Sequence, residues 1–185
     1  MRPQNKYIFR HPLYYLLFIL LGILASHGVS ILVSFMHLDN IWGSYSEVEQ
    51  IVYQSSTAWI IVSTVIIAPI LEEFIFRWLI FELCRRRLNF WISALISSVL
   101  FGIYHWNLVQ GVYAFIVGML FCYLNEKFHN ITSTIVCHMA ANGFMLLLNH
   151  FNLVYPATWI YVAVMVVCIA AVVLICVFKI RKITI

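Results

Sequence analysis

From Leu13 to Phe178 the chain is a succession of apolar runs, most of them long enough to cross a lipid bilayer, broken only by short polar segments. A helix needs roughly 20 apolar residues to cross a hydrocarbon core of ~30 Å, so a chain of this length accommodates about seven spans at most. Composition agrees: 64% of the 185 residues are hydrophobic and only 10% are charged, against about 45–50% and 25% in soluble domains. So few charges cannot build a water-facing shell, and the mean hydropathy is +0.96. Soluble, disordered, collagen-like and disulfide-scaffold classes are excluded. The expectation is an all-α, polytopic membrane bundle of about six transmembrane helices, residues 1–185 forming a single integral membrane domain.

The runs cover about residues 13–35, 51–83, 89–106, 112–124, 131–148 and 158–178. The first extends well past Ala25, further than the apolar core of a signal peptide, and is read as a retained span. Pro69 divides the second run and is expected to kink it or to start a new helix there. Arg2, Lys6 and Arg10 precede the first run, Arg85, Arg86 and Arg87 follow the second, and Lys179, Arg181 and Lys182 follow the last. With six spans these basic clusters share one side, which the positive-inside rule makes the cytoplasm, with both termini. The polar stretch Met36–Gln50 then lies outside, and Trp42, Trp106, Trp159, Tyr155 and Tyr161 form an outer aromatic belt. The net charge of +4 does not indicate nucleic acid, because the basic residues sit at span ends instead of on one aromatic-interleaved face. Five scattered cysteines without a CxxC pair give neither a disulfide framework nor a zinc knuckle.

Of the 18 Asp, Glu, Lys and Arg residues, 15 fall in tails, loops or span ends, leaving Glu72, Glu73 and Arg77 within a span. Charges there are costly, usually face the bundle interior and mark sites. Glu73 and Arg77 are four apart and can pair on one helix face, whereas Glu72 is turned about 100° away and stays free. Two further polar groups lie in other spans: His105 at the end of the third, and His138 with Asn142, four apart, in the fifth. At 1.5 Å per helical residue, Glu72 lies ~20 Å from the basic end, His105 ~24 Å, His138 ~12 Å and Asn142 ~18 Å. Tilting shifts each by several Å, so the four are expected to meet inside the membrane. His27, beside Ser26 and Gly28, is read as a packing and kink feature of the first span. Serine-based catalysis lacks a GxS setting, and Asp39 alone cannot make an aspartyl dyad.

Glu72-Glu73-x-x-x-Arg77, Phe101-x-x-x-His105 and His138-x-x-x-Asn142, in that order on successive apolar segments, resemble the CPBP family. That family comprises the type II CAAX prenyl endopeptidases and the bacteriocin-processing or Abi membrane proteases. The resemblance covers about Pro69 to Asn142 and implies a catalytic core over about residues 52–150. It implies an intramembrane endopeptidase in which Glu72 is the general base for a water that His105 helps hold. His138 and Asn142 would stabilise the oxyanion, with Glu73 and Arg77 as a supporting structural pair. Its substrate would be a membrane-embedded or lipidated peptide or protein, in a minimal member residing in a bacterial cell membrane. No cofactor is expected in the favoured metal-free reading; zinc held by Glu72, His105 and His138 is the alternative. A non-catalytic bacteriocin-immunity or scaffold protein is the competing function, and a small transporter is weaker because no inverted repeat is visible. Neither substrate identity nor oligomeric state can be read from the residues.

Overall fold

The computed structural model describes residues 12–37, 57–151 and 158–180. Among them the chain forms six helices and no strand: α1 (Pro12–Ser34), α2 (Ala58–Arg85), α3 (Phe90–Tyr104), α4 (Leu108–Phe128), α5 (Ile131–His150) and α6 (Thr158–Leu174). Arg2, Lys6, Arg10, Arg181, Lys182, Asp39, Glu47, Glu49, Trp42 and Tyr155 lie outside the described residues.

Five of the helices are long and apolar enough to span a membrane, and α3 is shorter at 15 residues. Its length, roughly 22 Å, falls short of the expected full span because a turn at His105 and Trp106 stops it. Trp106 takes a left-handed φ of 54°, a conformation rare for a bulky residue. The fourth span, expected over 112–124, is instead 21 residues long. Asn107 caps its start by accepting from the Gln110 amide at 3.1 Å, and Glu126 and Lys127 remain helical at its end. Asparagine also caps α3 through Asn89 and α5 through Asn130. Each carboxamide takes an amide proton that a helix start otherwise leaves unpaired.

The bundle is assembled by α1 packing on α5 and α6, and by α3 packing on α4 and α2. Phe18 and Leu21 of α1 are fully buried with Phe121, Leu124 and Phe128 of α4, which makes α1 part of the core. His27 packs edge-on to Phe144, ring centroids 5.5 Å apart, matching its reading as a packing residue. At the basic end, Arg85 on α2 grips Glu126 on α4 through two bonds of 3.0 and 2.9 Å. Outward-facing Leu, Ile, Val and Trp side chains cover much of the remaining surface, as a lipid-facing bundle demands.

Pro69 does not interrupt α2. The backbone stays in the right-handed helical region through Ile67, and Pro69 sits near the start of an α-helical segment, Ala68–Glu73, that directly continues a wider π-helical segment, Val62–Ile67. The expected division of the second run at Pro69 takes the form of a change of hydrogen-bond register, a π segment ending at Ile67 and an α segment starting at Ala68 with Pro69 in its first turn, where the missing proline N–H is tolerated. A second π segment spans Phe74–Phe81, and a third, Ile175–Ile180, follows α6.

The α1–α5 contact depends on Gly22, whose added Cβ would overlap the Cys137 carbonyl oxygen and meet Ala140 Cβ at 3.1 Å. Small residues of this kind let membrane helices approach backbone to backbone. Gly22→Val is therefore expected to destabilise the bundle by about 1–3 kcal/mol, as overpacked sites do, read as a lower thermal unfolding midpoint in detergent.

Candidate active site

The site is built where α2, α3, α4 and α5 meet. Within α2, Glu73 and Arg77 are completely buried and Glu72 nearly so, at 9% exposure. Arg77 Nη1 lies 3.1 Å from Glu73 Oε1, which realises the i, i+4 pairing. The rest of the guanidinium meets aromatic faces, its central carbon 4.2 Å from the Phe101 ring centre and 5.1 Å from that of Phe121. A cation against ring faces in a dry setting gains substantially from the ring quadrupole. Gly118 on α4 makes room for it: a Cβ there would stand 2.9 Å from Arg77 Nη2 and 3.2 Å from Ser98 Oγ.

Glu73 has a second partner that the residue spacing did not reveal. His138 on α5 bonds through Nδ1 to the same Oε1 at 2.9 Å. An ionised carboxylate only accepts, so the imidazole donates and its Nδ1 carries the proton. The other ring nitrogen, Nε2, faces Glu72, with Oε2 3.6 Å away, too far for a direct hydrogen bond. His138 thus stands between the two carboxylates, bonded to one and open toward the other. Glu73 is more than half of a structural pair, since it also sets the orientation and tautomer of this histidine.

His105 sits at the C-terminal end of α3, half-buried, and its Nδ1 bonds the Phe101 carbonyl at 2.8 Å. A carbonyl can only accept, so Nε2 of the neutral ring is left with a free lone pair. The rings of His105 and His138 both pack edge-on to Phe101, at 4.9 and 5.8 Å between centroids, which gathers them around one aromatic side chain. Glu72, Glu73, Arg77, His105 and His138 are therefore assembled in one region. Asn142, one turn beyond His138, reaches the wall of α2, where its Nδ2 donates to the Thr64 carbonyl at 3.0 Å. One of its two amide protons is used there and the second remains.

The crude depths of Glu72 and His138 differ by ~8 Å, within what tilting allows, and the two are neighbours. Asn130, the cap of α5, is itself buried at 1% exposure, and Ser133 and Thr134 after it are buried too. The zinc set of Glu72, His105 and His138 is not arranged as ligands: among the described residues no three His, Cys, Asp or Glu side chains converge on a point that would hold a metal. An apolar cavity of about 280 Å³ beside Phe90, Met119 and Tyr123 belongs to the other end of α3 and contains none of these groups.

A profile of the Rce1-like type II CAAX prenyl endopeptidases matches residues 54–144, a stretch that contains all six polar residues above. Residues 54–144 are thus similar to that endopeptidase family, in keeping with the motif resemblance. Over 97 residues, 52% of its length, the chain is 38% identical to the "Putative membrane peptidase YdiL" of Bacillus subtilis (strain 168) and spans 39% of that relative. No solved structure matches.

The shared burial of Glu73 and Arg77 predicts a difference between the two adjacent glutamates. Glu73→Ala strands a desolvated guanidinium and should cost about 3–5 kcal/mol of stability. Glu72→Gln removes no ion-pair partner of Arg77 and should shift the unfolding midpoint little, both read by thermal unfolding in the same detergent.

Proposed function

We propose that this protein is an intramembrane endopeptidase that hydrolyses a peptide bond of a polypeptide delivered through the bilayer. The observation that carries this reading is His138 held at 2.9 Å by Glu73 while its other nitrogen faces Glu72, with His105 beside them in an otherwise apolar bundle. One carboxylate is spent on orientation and the next is left for chemistry.

In this mechanism a water lies between Glu72 and His105. Glu72 takes one of its protons while the free Nε2 of His105 accepts a hydrogen bond from the other, which aims the oxygen at the scissile carbonyl carbon. As the new C–O bond forms, the carbonyl π-electrons move onto its oxygen. His138 Nε2–H and the second amide proton of Asn142 stabilise that oxyanion. Because Nδ1–H is committed to Glu73, donation from Nε2 requires the doubly protonated ring, whose charge Glu73 and Glu72 offset. Collapse of the tetrahedral species breaks the C–N bond, and the proton on Glu72 passes to the leaving amine. Glu72, His105, His138 and Asn142 are the catalytic residues, while Glu73 and Arg77 are supporting.

The substrate is a membrane-embedded or lipidated polypeptide, a class supported by the site's position among apolar helices and by the prenyl-endopeptidase profile. Residues 1–185 act as one integral membrane unit whose catalytic core is about 52–150. Both termini face the cytoplasm of a bacterial cell; the basic cluster beside α2 and the bacterial relative support this.

Membranes carrying the wild-type protein should accumulate new polypeptide N-termini that are absent with Glu72→Gln, as read by N-terminal proteomics. His105→Ala should lower their yield by about a hundredfold, the scale of a lost acid–base group. Identical N-termini in wild type and Glu72→Gln, at equal expression, would overturn proteolysis and leave the immunity or scaffold reading.

A further inference from the structure

We infer that Pro69 is a positioning residue for Asn142, acting by withholding a backbone proton, an inference that rests on the oxyanion role proposed for Asn142. Ahead of Pro69 the α2 backbone is in π register, and the Ala68 N–H donates to Ser63 O, five residues back. The next bond in that register would run from residue 69 to the carbonyl of Thr64. Proline has no N–H, so the bond cannot form. Within a membrane an unpaired carbonyl is costly, and neighbouring side chains are the usual remedy. Asn142 Nδ2 supplies it, reaching across from α5 to Thr64 O at 3.0 Å.

The consequence is directional. The amide group is planar, so fixing one N–H on Thr64 O sets where the second points and removes the side chain's rotational freedom. Asn142 lies one turn along α5 from His138, whose ring is already fixed by Glu73. The two donors assigned to the oxyanion are therefore each anchored to α2, His138 by a carboxylate and Asn142 by a carbonyl that Pro69 leaves open. An ordinary residue at 69 would offer Thr64 an N–H in competition, and Asn142 would lose its hold.

The test compares Pro69→Ala, which restores the N–H, with lactic acid at position 69 introduced by nonsense suppression, which has the alanine side chain but an ester oxygen in place of the N–H. Two readouts are followed in the full-length protein: the side-chain amide NMR signal of Asn142, assigned by its loss in Asn142→Ala, and the yield of new N-termini in membranes. Pro69→Ala should shift the Asn142 signal and lower the yield about tenfold or more, as small misplacements of catalytic groups do. Lactic acid at 69 should return both to the wild-type values, and Pro69→Ala should cause no further loss in the Asn142→Ala background. An unmoved Asn142 signal in Pro69→Ala overturns the inference. So does a lactic-acid variant as impaired as Pro69→Ala, which would assign the effect to the proline ring. Full activity of Asn142→Ala overturns the oxyanion role of Asn142 instead, and the NMR comparison still decides whether Pro69 controls its side chain.

Discussion

The site depends on one buried carboxylate oxygen, Oε1 of Glu73, which faces both Arg77 at 3.1 Å and His138 at 2.9 Å. A lone carboxylate in such a setting would be strongly penalised, and so would a lone guanidinium. Paired, their opposite charges offset one another, and the aromatic faces of Phe101 and Phe121 lie against the arginine. That neutralised unit gives α5 a fixed polar landmark on α2. His138 docks on it, and the spatial relation between the two helices follows. Glu72, the adjacent residue, inherits a defined position without being consumed by a partner.

The helices were legible in the residues because a bilayer leaves few alternatives. Apolar runs of span length must be helical, and charge at their ends marks the boundaries, as at Arg85 and Glu126. The Glu73–Arg77 pair was legible for a similar reason, since i, i+4 spacing on a helix fixes proximity with no tertiary information. What was hidden depends on relations between helices. Whether Glu72 or Glu73 receives His138 turns on the rotation of α2 and on the level at which α5 begins. Counting residues from the rim fixes depth only to within several Å, which leaves that choice open. The register change at Pro69 was hidden for a related reason, because the proline rule assumes an α register and α2 is in π register just before it.

The three π segments share a property that explains their persistence. Each contains one carbonyl that accepts a hydrogen bond from a side chain of another helix. Asn142 donates to Thr64 in the first, Ser97 to Phe76 in the second at 2.7 Å, and Tyr123 to Cys176 in the third at 3.3 Å. A π turn has poorer internal hydrogen-bond geometry than an α turn and is normally confined to short insertions. In lipid, where water cannot solvate a weakened carbonyl, that defect persists only if a neighbour completes it. The defect then becomes an attachment point, because the carbonyl left available is the one a side chain opposite can use.

This reverses the usual reading of irregular backbone as local weakness. Two of the attachment points flank the Glu72-Glu73 pair, Thr64 roughly two turns before it and Phe76 about one turn after it. They tie α2 to α5 on one side and to α3 on the other. The helices bearing His138 and His105 are thus fastened to α2 close to the glutamates they must meet, by bonds to the backbone. A backbone acceptor cannot rotate away as a side chain can, so it transmits position with less loss. For the proposed chemistry, which draws a base, a water-holding imidazole and two oxyanion donors from three different helices, the departures from α geometry in α2 supply the registration that regular helices packed through apolar faces alone would leave free to slide.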